Sequence, residues 1–183
     1  QPLHAYDMEH LNGKEIHVRM AKDKEKMHTL DGNEHTLCED DIVIADKAGI
    51  IGLAGVMGGD ISGVSETTTT VILEGANFEA DHIRKTSKRQ GLRSEASSRF
   101  EKGLDPNRAK EAVDRVCELA VEIGAAKVAK GCFDHYPKEV APWTVDAKVS
   151  RINALLGTDI SGEGMVKILD SLLIPTTIDG DEL

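Results

Sequence analysis

Short apolar runs separated by turn residues dominate the first third of the chain. The runs are Glu15–Arg19, Lys26–Leu30, Asp41–Asp46, Ile50–Val56 and Thr67–Leu73. Their length, alternation and content of β-branched residues predict strands on a pleated surface. The dipeptide Asp31-Gly32 follows the second run and is a hairpin-type turn signal. This part of the chain is therefore predicted to consist of short strands joined by turns.

The pattern then becomes helical. Glu79–Gln90 predicts a short helix that ends at Gly91. A second helix is predicted to begin with Asp105 as its N-cap and Pro106 at its first position. Apolar residues repeat at helical spacing from there until Gly124, which closes the helix.

A mixed sheet with helices on one side is the architecture that these elements predict. A further strand is predicted at Ala126–Ala129. The fold class is therefore α+β, or layered α/β. Pro137 and Pro142 bracket a linker, and the first domain is predicted to span residues 1–138.

Residues 139–183 are predicted to open a second, small α+β domain. Its predicted elements are a strand at Trp143–Asp146, a helix at Val149–Leu156, a helix from a Ser161 cap to about Leu173, and a strand at Thr176–Ile178. Such a tail is too small to hold a core alone. The chain begins without Met and stops just after a strand-like run, so we expect a fragment of a longer protein with a truncated second domain.

Charge is unevenly distributed along the chain. The net charge is −10, which argues against a general nucleic-acid coat protein. Between Ile83 and Lys110, however, nine Lys/Arg stand against three Asp/Glu, interleaved with serines that bond phosphate or sugar well. This basic run indicates a localised polyanion contact, and a solvated helix face is the alternative. The candidate contacts are Arg84, Lys85, Lys88, Arg89 and Arg93.

The cysteines and histidines give no metal or disulfide signature. Cys38, Cys117 and Cys132 form no CxxC pair, and the histidine spacings do not converge on a metal. Reduced thiols, the lack of a long apolar run and the lack of a signal peptide favour a cytoplasmic protein without a membrane span.

The run Gly52–Asp60 and the carboxylate Glu74 are the strongest candidate chemistry. A glycine-rich bend allows close backbone approach, whereas a carboxylate inside an apolar strand is costly to bury. Glu74 is predicted to accept a hydrogen bond from a ligand hydroxyl in a pocket floored by Gly58 and Gly59. The alternative is a strand-edge glutamate that faces water. The run lacks the spacing of a phosphate-binding loop.

Seven motifs together resemble the β subunit of bacterial phenylalanyl-tRNA synthetases, in its editing region, from Gln1 to about Pro137. The matching stretches are Gln1–Asp7, Thr29–Gly32, Leu53–Gly59, Ile72–Glu74 with Phe78, Ile83–Thr86, Gly91–Ser97 and Arg99–Pro106. The resemblance implies a three-layer β/β/α editing domain that hydrolyses tRNA wrongly charged with tyrosine during protein biosynthesis.

The resemblance also implies roles for individual residues. Glu74 matches the family carboxylate that recognises the tyrosine hydroxyl. Gly58, Gly59, Ser94 and Ala96 match positions that line the editing pocket, and His4 matches a histidine at its rim. His4 and Glu74 are thus the expected catalytic pair, the first in positioning and the second in recognition. An ordered water is expected to attack the ester, assisted by backbone donors and the terminal hydroxyl of the tRNA.

The resemblance further implies partners and cofactors. The partners are tRNA(Phe) and the synthetase α subunit in an α2β2 heterotetramer. The full enzyme is a ligase that uses ATP and Mg²⁺, whereas this stretch is expected to hold no metal and to have no ligase activity alone. Gly75 stands where the family commonly has serine, which is expected to loosen the strand.

Two other functions remain open from the sequence. The first is a non-catalytic tRNA-docking and subunit-interface module of the same synthetase. The second is a stand-alone hydrolase of another acyl ester, for which no nucleophile or metal cluster is visible.

Overall fold

The computed structural model describes all 183 residues and has an α+β fold, as predicted. Eight strands run at His4–Asp7 (β1), His17–Met20 (β2), Lys26–His28 (β3), Glu34–Thr36 (β4), Ile42–Ala45 (β5), Ile50–Leu53 (β6), Met57–Gly58 (β7) and Val71–Glu74 (β8). Five helices run at Ala80–Gln90 (α1), Glu95–Phe100 (α2), Arg108–Glu122 (α3), Val149–Leu156 (α4) and Gly162–Ser171 (α5).

The strands form three antiparallel sheets. The largest has the order β2-β5-β6-β7, and β3 pairs with β4 in a hairpin. The first and last strands, β1 and β8, pair with each other in a two-stranded sheet. Since β1 and β8 are far apart in sequence, their pairing closes the β-rich part of the chain.

The four-stranded sheet contributes to two hydrophobic cores. Val43 on β5 belongs to the first core, with Ile83 of α1 and Phe100 of α2. Its neighbour Ile44 belongs to the second, with Tyr6 of β1. Adjacent strand residues point to opposite faces. The sheet therefore lies between the helices on one side and the β1–β8 pair on the other.

Helix ends follow local capping chemistry. The Glu79 carboxylate accepts from the backbone N–H of His82 at the start of α1, and Gly91 ends that helix at φ +68°. Ser94 and Ser97 form a reciprocal capping box at the start of α2, a helix that the hydrophobic pattern did not predict. Ser161 caps α5 as predicted.

The start of α3 differs from its prediction. The helix begins at Arg108 rather than at Pro106. The Asp105 carboxylate accepts from the backbone N–H of Asn107 at 3.0 Å. This contact holds a turn ahead of the helix, so Asp105 lies two residues before the N-cap, Asn107.

Three predicted strands are absent. Residues 126–129, 143–146 and 176–178 are irregular, and only isolated bridges such as Asp179 with Glu182 occur nearby. None of these short stretches pairs with another strand, and propensity alone does not make a ladder.

Gly75 is held tightly rather than loosely. A Cβ added there would lie 2.5 Å from Val113 Cγ2 and 3.0 Å from the Ala109 carbonyl oxygen, both on α3. The glycine therefore lets α3 approach the end of β8, and its effect on the strand itself stays a prediction.

Two compact units divide the chain, Gln1–Glu139 and Val140–Leu183. Both hydrophobic cores lie in the first unit. The second contains α4 and α5 and one buried apolar side chain, Met165. No helix in the structure is both long and apolar enough to cross a bilayer.

Candidate functional site

The register of β1 against β8 brings three side chains of the candidate site together. His4 lies directly opposite Glu74 in the ladder. Two residues along β1, the hydroxyl of Tyr6 donates to Oε2 of Glu74 at 2.5 Å. The histidine and the carboxylate singled out from the sequence are thus neighbours, and a tyrosine joins them.

The Glu74 carboxylate lies in an environment that disfavours its charge. Burial raises the pKa of Glu74, and the hydrogen bond from Tyr6 opposes that rise only in part. Burial also raises the pKa of the Tyr6 phenol, and the Glu74 charge raises it further, so Tyr6 remains a hydrogen-bond donor. Only Oε2 has a partner within the chain. The other oxygen, Oε1, is free to accept a hydrogen bond from a ligand.

His4 presents an unpartnered nitrogen beside this carboxylate. Its ring packs edge-on against the Tyr6 ring, with centroids 4.5 Å apart and planes 69° apart. The Nε2 atom is buried and has no hydrogen-bond partner in the chain. Burial lowers the pKa of His4, which keeps the imidazole neutral near pH 7. A buried polar atom without a partner is unusual and marks a place for a water or a ligand.

Gly58 allows the His4 ring to take this position. A Cβ on Gly58 would lie 2.4 Å from His4 Cε1 and 2.7 Å from Nε2. Any other residue would push the imidazole away. Close approach at the glycine run, predicted from the sequence, therefore occurs at Gly58 and serves a side chain of the same protein.

A small cavity of about 70 Å³ opens among these residues. A buried water needs roughly 10–15 Å³ of such space, so the cavity admits a small group rather than a large cofactor. Its polar side chains are His4, Tyr6 and Glu74, and the rest of the lining is apolar or glycine. The remaining lining includes Leu3, Ile44, Leu53, Val56, Met57, Phe78, Ala96 and Phe100.

The other predicted pocket residues divide into two groups. Ala96 and Gly58 line the cavity. Gly59 lies outside the lining because its N–H donates to the Ile51 carbonyl at 2.8 Å within the sheet. Ser94 also lies outside, because its hydroxyl donates to the Val56 carbonyl at 2.6 Å while it caps α2. Of the two acceptors, only Val56 lines the cavity, so Ser94 contacts the cavity wall from outside.

The candidate tRNA contacts of the basic run also fall into two groups, one bonded within the fold and the other exposed. Arg89 bonds the carboxylate of Asp41, which is completely buried and also accepts from Thr86 at 2.5 Å. Arg89 therefore has a partner within the fold, and its tRNA contact stays a prediction. Lys85 and Lys88 are exposed on α1 without a carboxylate partner.

The two remaining arginines of the run keep exposed positive charge beside acidic neighbours. Arg84 pairs with Asp81 at 2.9 Å on the surface of α1. Arg93 is 80% exposed, and its nearest carboxylate, that of Glu101, is 4.0 Å away. Surface pairs of this kind are weak, so both side chains remain available to a phosphate.

Two residues that matter here were not singled out from the sequence. Tyr6 stands near His4, outside every predicted strand, and Asp41 stands at the edge of an apolar run. Their partners lie 68 and 48 positions away. No local pattern links such pairs, and only the fold brings them together.

Comparisons with known proteins agree with the motifs. Residues 1–125 match the model of the B3/4 domain. Relatives along the chain include the phenylalanine–tRNA ligase β subunit of Staphylococcus haemolyticus, 44% identical over all of this chain and 23% of its own length. The same subunit of Clostridium tetani is 43% identical over all of this chain and 23% of its own length. The chain thus spans about a quarter of the relatives it matches.

A solved structure also aligns with the chain. It is an N-terminal fragment of the phenylalanyl-tRNA synthetase β subunit from Pyrococcus horikoshii, 14% identical, with a TM-score of 0.43 over 98% of this chain and 52% of that one. The family model covers more than half of the chain, and its span includes His4, Tyr6, Glu74 and α1. The chain therefore belongs to the B3/4 domain family.

Proposed function

We propose that this chain is the editing module of a phenylalanyl-tRNA synthetase β subunit and hydrolyses Tyr-tRNA(Phe). The observation that carries the proposal is a half-buried carboxylate with one free oxygen, Glu74 Oε1, in a small, mostly apolar cavity beside a neutral histidine. The similarity to phenylalanine–tRNA ligase β subunits supports the proposal that this activity belongs to a synthetase of that kind.

Recognition rests on a single hydroxyl. Tyrosine and phenylalanine differ only by the phenolic hydroxyl, which can donate to Oε1 of Glu74. Phenylalanine has no such donor and leaves that oxygen desolvated and unpaired. Sites built to bond a hydroxyl reject the analogue that lacks it far more strongly than apolar pockets reject a missing methylene.

Hydrolysis in this proposal uses a water rather than a protein nucleophile. No serine or cysteine lines the cavity. His4 is neutral, and its buried Nε2 is free to hold a water or the terminal ribose hydroxyl of the tRNA. His4 thus positions the attacking group, and Glu74 selects the amino acid. Lys85 and Lys88, exposed and unpaired on α1, supply phosphate contacts that hold the tRNA.

The proposal also assigns the partners and cofactors of the complete synthetase. We place ATP and Mg²⁺ in the ligation reaction of the complete synthetase rather than at this cavity. The α subunit would be the partner in that complex, and the cytoplasm its compartment.

The test is hydrolysis of Tyr-tRNA(Phe) and Phe-tRNA(Phe) by this chain. We expect the tyrosyl ester to be cleared faster, and Glu74→Gln to abolish the preference. Glu66→Gln is the matched control, since Glu66 is exposed and remote from the cavity lining. Equal rates on both esters, or a preference that survives Glu74→Gln, would contradict the proposal.

A tRNA-docking module without catalysis is the second candidate. It is favoured by the exposed lysines of α1 and by the fact that one Glu74 oxygen is already bonded within the chain. In that case neither ester is cleared, but the double variant Lys85→Ala/Lys88→Ala weakens binding of tRNA(Phe). Glu74→Gln then leaves binding unchanged.

A further inference from the structure

Tyr6 contacts Glu74 and His4, the two side chains that have roles in the proposed function. Only 1% of Tyr6 is exposed, and its ring is part of the second core with Ile44 and Ile51. Its hydroxyl donates to Glu74 Oε2 at 2.5 Å, and its ring edge packs against His4. A side chain anchored in the core therefore holds two side chains at the cavity.

The hydrogen bond gives the two Glu74 oxygens different roles. Tyr6 has no carboxylate partner except Glu74, and its burial keeps it protonated, so the direction of donation is fixed. Oε2 is occupied, and Oε1 is the acceptor left for a ligand. Without the Tyr6 hydroxyl, the carboxylate would lose its only donor in the chain and both oxygens would be equivalent.

The contact between the Tyr6 and His4 rings positions His4. The imidazole is confined between the Tyr6 ring and the backbone of Gly58, where a Cβ would not fit. Because no hydrogen bond fixes Nε2, packing alone sets where that nitrogen points.

We infer that Tyr6 is a specificity-determining positioning residue: its hydroxyl reserves one oxygen of Glu74 for the hydroxyl of a bound tyrosyl group, and its ring orients His4. The inference rests on the proposed function for the identity of the ligand. Its two parts are separable, because phenylalanine retains the ring and lacks the hydroxyl.

The first experiment measures Glu74 itself. The ¹³C-labelled side-chain carboxyl of Glu74 is followed by NMR against pH in the parent chain and in Tyr6→Phe. Since the Tyr6 hydrogen bond lowers the pKa of Glu74, we expect that pKa to rise in Tyr6→Phe. Tyr136→Phe is the matched control, because Tyr136 is bonded to Asn107 away from the cavity.

The second experiment measures selectivity without requiring turnover. Binding of L-tyrosine and of L-phenylalanine is compared by NMR titration. We expect the ratio of their affinities to fall about ten-fold or more in Tyr6→Phe, the size of effect that a hydrogen bond to a charged group supports. The Tyr136→Phe ratio should match that of the parent chain.

The third experiment separates the ring from the hydroxyl. With Tyr-tRNA(Phe) as substrate, Tyr6→Phe should raise KM and leave kcat close to that of the parent chain. Tyr6→Leu should lower kcat as well, because His4 loses its neighbour. Recovery of kcat on going from leucine to phenylalanine is a readout that general destabilisation would not give.

The outcomes are distinct for the two proposals. An unchanged Glu74 titration, or an unchanged tyrosine-to-phenylalanine affinity ratio, in folded Tyr6→Phe overturns the inference. A shifted titration and a reduced ratio support it. If the parent chain binds tyrosine selectively but clears no Tyr-tRNA(Phe), the hydrolytic function fails while the positioning role of Tyr6 stands.

Discussion

Glu74 is a residue whose environment works against its own ionisation. Its carboxylate is half-buried next to apolar walls and has one donor, Tyr6, for its two oxygens. A group with a raised pKa in the folded state makes folding less favourable once the pH exceeds the pKa of the unfolded chain. Ionisation of Glu74 therefore lowers the free energy of unfolding, and it does so at the place where the proposed ligand binds.

The first prediction concerns the effect of Glu74 ionisation on the free energy of unfolding. Glu74→Gln should raise the free energy of unfolding at pH 7, because the amide is neutral and its oxygen still accepts from Tyr6. The gain should shrink as the pH falls through the raised pKa of folded Glu74 and should be lost below the unfolded pKa of about 4.3, where Glu74 is protonated in both the folded and the unfolded chain. Urea denaturation at several pH values measures it.

The control for this experiment is Glu66→Gln, an exposed change expected to stay within about 0.5 kcal/mol at every pH. Acidic groups with lowered pKa values, such as Asp31 with a pKa of about 2 through bonds from Thr29 and Asn33, act in the opposite direction in all variants. They cancel in the difference. A gain that is independent of pH would show that Glu74 is not the cause.

Sequence reasoning reached some residues of the site and missed others for a physical reason. His4, Glu74, Gly58 and Ala96 were chosen from local patterns and from the resemblance, and all four line the cavity. Tyr6 was not chosen, because no strand was predicted at residues 4–7 and nothing in the local sequence connects its hydroxyl to Glu74. Its second role depends on a hydroxyl whose acceptor lies on a distant strand.

At the scale of elements, α1 combines a structural charge with exposed ones. Arg89 reaches back from the helix to buried Asp41, and Thr86 does the same from one turn earlier. These bonds fasten α1 to the loop before β5. The exposed lysines of the helix are held in place as a consequence.

The second prediction separates these charges. Arg89→Ala should lower the free energy of unfolding by about 1–3 kcal/mol, because it leaves the Asp41 carboxylate with neutral donors only. Lys85→Ala, which removes the same charge from the same helix, should change stability by less than about 0.5 kcal/mol. Urea denaturation of both variants measures the difference.

The salt dependence of tRNA binding provides the complementary measurement. Lys85→Ala should make binding less sensitive to salt, because one phosphate contact is lost. Arg89→Ala should leave the salt dependence unchanged once the protein is folded. Adding Asp41→Asn to Arg89→Ala should restore part of the stability. Equal stability loss in both single variants would refute the division of roles.

The third prediction concerns the contact between α3 and the end of β8. Gly75→Ser places a Cβ 2.5 Å from Val113 Cγ2, and overpacking of this kind costs about 1–3 kcal/mol. Val113→Ala in the same chain should relieve part of the loss. The measurement is the free energy of unfolding of the two single variants and the double variant. Additive losses would mean that the two side chains do not meet.

Elements were predicted well where a local signal specifies them. The bounds of α4 and the cap of α5 follow from periodicity and from a capping serine. The strands predicted at 126–129, 143–146 and 176–178 failed because a strand needs a partner that propensity does not supply. The short helix α2 was missed because serines flanked by glycine read as a loop, although two of them form its capping box.

At the scale of the whole molecule, the buried apolar side chains are concentrated in one of the two units. All of them except Met165 precede residue 101. The net charge of −10 is also uneven, since the basic run lies in the first unit. The first unit thus contains the cores, the cavity and the basic helix.

The fourth prediction tests that concentration. A chain of residues 1–139 should fold alone and melt cooperatively, because it keeps both cores. A chain of residues 140–183 should show no cooperative transition, because one buried side chain cannot offset its conformational entropy. Circular dichroism melts of the two chains decide this. Cooperative melting of 140–183, or none in 1–139, would contradict the assignment of the cores.

The pairing of β1 with β8 has a kinetic consequence. Tyr6 and Glu74 lie 68 positions apart, so their contact requires a long loop to close, whereas the β3–β4 hairpin and the helices need only local contacts. Local elements form early during folding, and distant pairings come later. The second core and the cavity would therefore be completed late in folding, because pairing of β1 with β8 buries Tyr6 in that core and brings its hydroxyl to Glu74 in the same step.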